Sequence, residues 1–202
     1  MKKLLLLIVA TLALTSCEFL PKAKTGFTNY SKHVIEFRDN KIVLSDEYTK
    51  TTPEEFTQRL DSLNDELKFK KLALAELERV QSKKVDFELF VDDTNVENYV
   101  FIYTRDFVQF DEHSAAKYVS KLNGQFLDEA NKQEIKYKRI HGRYFFTPNS
   151  KIVKLKYLKA HKKERKFEAE YIVSLKTGGI GLHVSNVDNV DFEKSIKRLA
   201  SK

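Results

Sequence analysis

The sequence predicts an α+β fold, an antiparallel β-sheet flanked by helices. Three observations lead there. The C-terminal third is a series of alternating stretches, "EIKYKRIHGRYFF", "KIVKLKYLK", "KFEAEYIVSL" and "LHVS", separated by short polar turns, the pattern of a strand meander. The stretches that begin at Thr52 and at Asp111 carry apolar residues at spacings of three and four instead, the period of a helix with one apolar face. Roughly 185 residues follow the N-terminal leader, enough for one core that buries about 70% of the unfolded chain's surface.

The leader runs from Met1-Lys2-Lys3 through an almost wholly apolar stretch, Leu4 to Leu14, to the small residues Thr15 and Ser16. That stretch is too short for a membrane-spanning helix, which needs roughly 20 residues, and reads as a secretory signal. Cys17 is the single cysteine of the chain, so no disulfide can form. The run Leu14-Thr15-Ser16-Cys17 resembles the lipobox of bacterial lipoproteins. The resemblance implies cleavage before Cys17, acylation of its thiol and of the new amino terminus, and attachment to a membrane through Cys17. One acyl chain anchors only weakly, whereas a triacylated cysteine holds firmly.

From Glu18 to Tyr30 the chain ("EFLPKAKTGFTNY") shows no period and reads as a tether reaching about 45 Å at most. The acidic run that accompanies surface export in some lipoproteins is absent, since Phe19, Leu20, Pro21 and Lys22 follow Glu18. The expected organisation is therefore a signal peptide over 1–16, an acylated cysteine and tether over 17–30, and a single α+β domain over 31–202. The expected location is the cell membrane or outer membrane, facing the periplasm.

In "HVIEFRDNKIVLSD", Ile35 and Phe37 alternate before a turn at Asp39-Asn40, and Ile42 and Leu44 after it, which predicts a hairpin. Thr52, Pro53 and Glu55 form a capping-box start. Phe56, Leu60, Leu63, Leu67, Leu74 and Leu77 follow on one stripe, so the pattern predicts one helix to about Ser82, roughly 45 Å long. Val85 to Val91 alternates, and "NYVFIYTRDF" reads as a strand buried on both faces. Asp111 caps a helix whose apolar face holds Ala115, Val119, Leu122, Phe126 and Ala130. A last short helix follows Asp191, with Phe192, Ile196 and Leu199 on one side.

Function is less legible. Without Lys2 and Lys3 the 36 basic residues fall to 34 against 29 acidic ones, a mild excess of five that suits an anionic membrane surface; export argues against a nucleic-acid partner. The stretch "KIVKLKYLKAHKKERK" is strongly basic. One reading makes Lys159, Lys162, Lys163 and Lys166 a patch for an anionic lipid, a glycan or an acidic protein. The other pairs its strand with the next across a loop at 160–166, with Val153 opposite Val173, Leu155 opposite Tyr171 and Lys156 opposite Glu170, leaving the lysines as a solvated edge.

Arg139, His141, Arg143 and Tyr144 form a second candidate surface. "DDTNVEN" offers oxygen ligands for a hard cation but lacks the spacing of a calcium loop, and Asp and Asn are also what a strand turn holds. "KTGGIG" lies between two strands and reads as a hairpin turn, not a phosphate loop. No HExxH or GxSxG is present, and an acylated Cys17 leaves no thiol nucleophile, so no catalytic residue, metal centre or cofactor is expected.

From Tyr99 onward the order of elements resembles the PsbP-like α/β/α sandwich, a group that includes photosystem II accessory proteins, the Ran-binding import factor of yeast and many bacterial envelope lipoproteins. The resemblance rests on "VFIYTRD", the helix "EHSAAKYVSKLNGQFLDEA", a strand with an embedded His141-Gly142, a charged hairpin, "GIGLHVSN" and the helix "DFEKSIKRLA". Cystatin-like and nuclear-transport-factor-like folds are the runners-up. The PsbP-like resemblance implies a non-catalytic accessory role and carries over no site residue. The expected function is a lipid-anchored envelope subunit binding another envelope protein or an anionic component. The alternative is a small-ligand or enzymatic pocket between the sheet and the first long helix.

Overall fold

Seven strands form one sheet in which every neighbouring pair is antiparallel, in the order Tyr48–Thr51, Phe87–Asp92, Tyr99–Arg105, Gly178–Asn186, Glu164–Leu175, Ser150–His161 and Lys136–Thr147. The computed structural model describes residues 24–25, 29–37 and 40–199. The expected signal segment, Cys17 and all of the tether except residues 24–25 and 29–30 lie outside them. In chain order the elements are β1 (Lys24–Thr25), β2 (Ser31–Ile35), β3 (Asn40–Leu44), β4 (Tyr48–Thr51), α1 (Pro53–Asp61), α2 (Lys68–Ser82), β5 (Phe87–Asp92), β6 (Tyr99–Arg105), α3 (Glu112–Lys132), β7 (Lys136–Thr147), β8 (Ser150–His161), β9 (Glu164–Leu175), β10 (Gly178–Asn186), β11 (Val190–Asp191) and α4 (Glu193–Leu199). The α+β class expected from the sequence is the one observed. Among the described residues no helix is long and apolar enough to cross a membrane.

Each side of the sheet has its own cover. Phe87, Leu89, Val91, Tyr99, Phe101 and Tyr103 meet Phe56 and Leu60 of α1 and Ala73, Leu77 and Val80 of α2. Farther along the same face, Val153, Leu155, Tyr157 and Ile172 meet Ala115 and Val119 of α3. Val119 sits so close to β7 that a Cβ on Gly142 would collide with it. The opposite face, with Val100, Ile102, Ile152, Tyr171, Val173, Leu182 and Val184, is covered by the β2–β3 hairpin and by Phe192, Ile196 and Leu199 at the C-terminus.

Local signals set the helix ends. Thr52 Oγ1 accepts from the Glu55 amide at 3.2 Å while the Glu55 carboxylate accepts from the Thr52 amide at 3.0 Å, the expected capping box. Asp111 and Ser114 close the same reciprocal pair at α3. The single helix expected from Thr52 to Ser82 is instead two. Ser62 Oγ donates back to the Arg59 carbonyl and Asn64 Oδ1 accepts from the Glu66 amide, side-chain bonds that compete with a helical backbone. The second helix then restarts without a capping side chain of its own. Glu164 of β9 supplies one from a distance, its carboxylate accepting from the amides of Lys68 and Phe69, a favourable site for negative charge.

Two further expectations are corrected. In the first hairpin Ile35 stands opposite Asn40, so Asn40 opens β3 and is not part of the turn; Asp39 lies outside the described residues. In the basic hairpin only Lys162 and Lys163 separate the paired residues His161 and Glu164. Val153 therefore faces Ile172, Leu155 faces Glu170 and Lys156 faces Ala169, a slip of one residue that puts Tyr171 and Val173 on the opposite face from Val153 and Leu155. The turn holds no Gly or Asn to announce it; Lys162 itself adopts φ 52°. Within the segment expected to be tether, β1 pairs in parallel with β11.

Candidate functional site

The helix layer is split. Helices α1 and α2 cover the β5–β6 end of the sheet and α3 covers β7 and β8, because the chain crosses from β6 at the centre to β7 at the edge through α3. Between the two packed regions lies a cleft of about 510 Å³ whose walls include Arg79 of α2 and Lys83 just past its end, Tyr118, Leu122 and Phe126 of α3, and Tyr103 and Arg105 of β6. A Cβ on Gly181 would meet the Tyr103 ring, so glycine there lets that ring lie flat against β10.

The floor is charged. Glu170 of β9 stands opposite His183 of β10 in the strand register, and His183 Nδ1 lies 2.6 Å from Glu170 Oε1 and 3.8 Å from Glu76 Oε1. Arg79 pairs with Glu76 one helical turn away and lies 3.8 Å from Glu170. Lys159 of β8 holds Glu168 at 2.8 Å. Charges buried to this degree persist when they are paired.

Burial opposes charge on His183, Glu76 and Glu168, and their partners outweigh it. Glu76, Glu170 and Glu168 raise the pKa of His183 above the ordinary imidazole value despite its burial. Against the same penalty, His183 and Arg79 hold Glu76 below the usual carboxylate range, and Lys159 and His183 do the same for Glu168. Tyr99 and Phe101 flank the His183 ring, and its Nε2 is sealed from solvent without a hydrogen-bond partner.

The mouth is different. Lys83 Nζ lies 4.2 Å over the Tyr103 ring, and Arg105 reaches the Tyr118 hydroxyl at 3.4 Å while its Nε is buried and unpartnered. Burial lowers the pKa of Lys83 and the neighbouring Arg79 lowers it further, against an upward pull from Glu170 and Glu76, with Arg105 adding a smaller lowering. Three cations therefore crowd one side of the opening. Among the described residues neither Lys83 nor Arg105 has a carboxylate within ion-pair reach, although Asp106 and Glu129 also border the cleft.

The residues singled out from sequence are scattered by comparison. A bulge between Arg139 and His141 divides β7. Arg139 approaches Gly142 on the α3 side, where the Tyr144 hydroxyl donates to the Phe110 carbonyl at 3.3 Å. His141 and Arg143 face the other way, toward Lys154, Lys156 and Glu193, so the four do not line one surface. Of the four lysines, Lys159 is committed to Glu168 and Lys166 to Glu97 at 2.8 Å; Lys162 and Lys163 are exposed at the turn. In "DDTNVEN", the Asp92 carboxylate accepts from the amides of Thr94 and Asn95 and from the Asn98 side chain, closing the β5–β6 turn. "KTGGIG" makes a tight turn at Lys176-Thr177, with Leu175 opposite Gly178.

Glu76, Arg79, Glu168, Glu170 and His183 were missed because three separate elements bring them together. A signal was available in "FEAEY": two glutamates on alternate positions of a strand that is apolar between them mark a buried face that tolerates charge.

No family model matches the sequence, and no curated protein matches it. Among solved structures, the chain is similar to the cyanobacterial PsbP (CyanoP) of Synechocystis sp. PCC 6803, in solution, at 7% identity over 80% of this chain and 82% of that one, with a TM-score of 0.48. The likeness is one of backbone path.

Proposed function

We propose that this chain is a lipid-anchored, non-catalytic binding protein that holds a small anionic ligand with an apolar body in the cleft between α2 and α3. The observation that carries the reading is the crowding of Lys83, Arg105 and Arg79 at one opening, where among the described residues no carboxylate lies within ion-pair reach of Lys83 or Arg105. Like charges gathered in a partly desolvated site repel, and an anion relieves that repulsion. Tyr118, Leu122, Phe126 and Ile172 supply apolar wall for the remainder of the ligand, and the cleft's volume falls in the range of small-molecule sites. A binding role fits the floor, whose acids and bases are engaged with one another and whose His183 Nε2 no ligand can reach. Cys17, acylated, would keep the cleft at the membrane surface.

Calorimetric titration with dodecanoate below its micelle concentration tests the cleft. The expected result is binding in a 1:1 complex that Lys83→Ala with Arg105→Ala weakens by at least about tenfold, near 1.4 kcal/mol. Lys162→Ala with Lys163→Ala should leave it unchanged. Equal loss in both pairs of variants would return the weight to the basic hairpin.

A further inference from the structure

Below the mouth, Glu76, Glu170 and His183 each present one ligand atom, and the three atoms lie within 4.8 Å of one another. They belong to α2, β9 and β10, so the fold and not a sequence motif assembles them. Ligands bonded to one zinc-sized ion at tetrahedral angles stand about 3.3 Å apart. The two separations from His183 Nδ1, 2.6 and 3.8 Å, bracket that value, so side-chain adjustment alone brings the atoms to it.

Burial separates this trio from an ordinary surface cluster of acids. The His183 side chain is 4% exposed, Glu170 7% and Glu76 15%. With a neutral imidazole the three floor carboxylates, Glu76, Glu168 and Glu170, outnumber the two floor cations, Arg79 and Lys159, by one. The proton of a charged His183 closes that count, and a metal ion at Nδ1 would take its place. The His183 ring is moreover held by Nδ1 alone, its Nε2 being unpartnered, so all of its directed bonding is aimed at the carboxylates.

We propose that Glu76, Glu170 and His183 bind one transition-metal dication, with its remaining coordination position open to the cleft. Arg79 gives up its bond to Glu76 and swings into the cleft it already lines. Two carboxylates and one imidazole without a thiolate suit Zn²⁺, Co²⁺ or Mn²⁺ better than Cu(I), and supply too few oxygens for Ca²⁺. The site stands on the floor residues alone and does not depend on the anion reading of the mouth.

Equilibrium dialysis of the purified chain against Zn²⁺ tests it. The expected result is one ion per chain at micromolar concentration, with Glu76→Gln, Glu170→Gln and His183→Gln each weakening binding by at least about tenfold. The Lys83→Ala, Arg105→Ala double variant should keep its zinc while losing dodecanoate, which separates failure of this site from failure of the mouth. Absence of stoichiometric zinc, or full binding by His183→Gln, overturns the proposal. Should the floor variants fail to fold, the wild type suffices: Zn²⁺ should shift the imidazole resonances of His183, and bound zinc that leaves them unmoved places the ion elsewhere and overturns the site.

Discussion

On the helix side of the sheet Glu76, Arg79, Lys159, Glu168, Glu170 and His183 meet beneath an open cleft, whereas on the opposite side Lys154, Lys156, Arg143, Asp191 and Glu193 meet beneath β11 and α4. Lys154 is 1% exposed. Its ammonium lies 2.9 Å from Glu193 and 3.3 Å from Asp191, and 5.5 Å from the face of the Tyr171 ring. Lys156 donates to the Val190 carbonyl at 2.7 Å; burial and the nearby Lys154 depress its pKa to about 8. Both sets of charges are costly to bury, yet only one opens into a cleft; in the other, Arg143 and Asp191 reach the surface and cap a sealed Lys154. In the closed set the ion pairs fasten the C-terminal segment to β7 and β8, which is an architectural task. In the open set the same kind of pairing ends at a cavity, and a cavity is what gives charge something further to bind.

Removing a carboxylate from each set is the most direct way to break this comparison. Glu193→Ala strips the buried Lys154 of the nearer of its two carboxylates and should cost about 2–4 kcal/mol in urea unfolding. Lys154→Met, which removes the buried charge itself, should cost less. Glu170→Gln on the cleft floor should cost about 1–2 kcal/mol, because Arg79 lies at the cleft and can be rehydrated there. If Glu170→Gln cost as much as Glu193→Ala by the same measurement, the cleft would be closed in solution and the contrast would fall.

A smaller effect sharpens the closed side. Burial, with Lys154, Arg143 and Lys156 close by, depresses the His141 pKa to about 4. The unfolded chain then binds more protons than the folded one between the two pKa values, so stability present above pH 6.5 is lost as pH falls toward 4. His141→Gln should flatten that slope by about 1 kcal/mol, the value expected once screening of a half-exposed ring is allowed for. A wild-type slope unchanged by the substitution would mean that His141 does not feel the lysines.

Elements written by local chemistry were legible. Thr52 with Glu55, Asp111, and the alternation through β6, β9 and β10 each carry their signal within a few residues. The break between α1 and α2 was hidden because Leu63 and Leu67 continue the apolar stripe through it, and the cap that restarts the helix comes from Glu164, 96 residues from Lys68. Register in the basic hairpin was hidden because Lys162 and Lys163 look like solvated charge, not a turn. Of the candidate residues, Lys159 alone reached the cleft: side chains chosen by nearness in sequence are divided by the pleat of β7, while those that converge on the floor lie on α2, β8, β9 and β10.

Strand β6 is hydrogen-bonded on one edge to β5 and on the other to β10, with Val100 opposite both Phe90 and Val184. The first neighbour is a short loop away in sequence; the second emerges only after α3 and three further strands. Closing so long a loop is slow, and until β10 arrives β6 presents Val100, Phe101 and Ile102 along an unpaired edge. Such an edge is a template for pairing with another chain. A chain interrupted before Gly178 would therefore carry β6, one of the most apolar strands of its sheet, as an open seam.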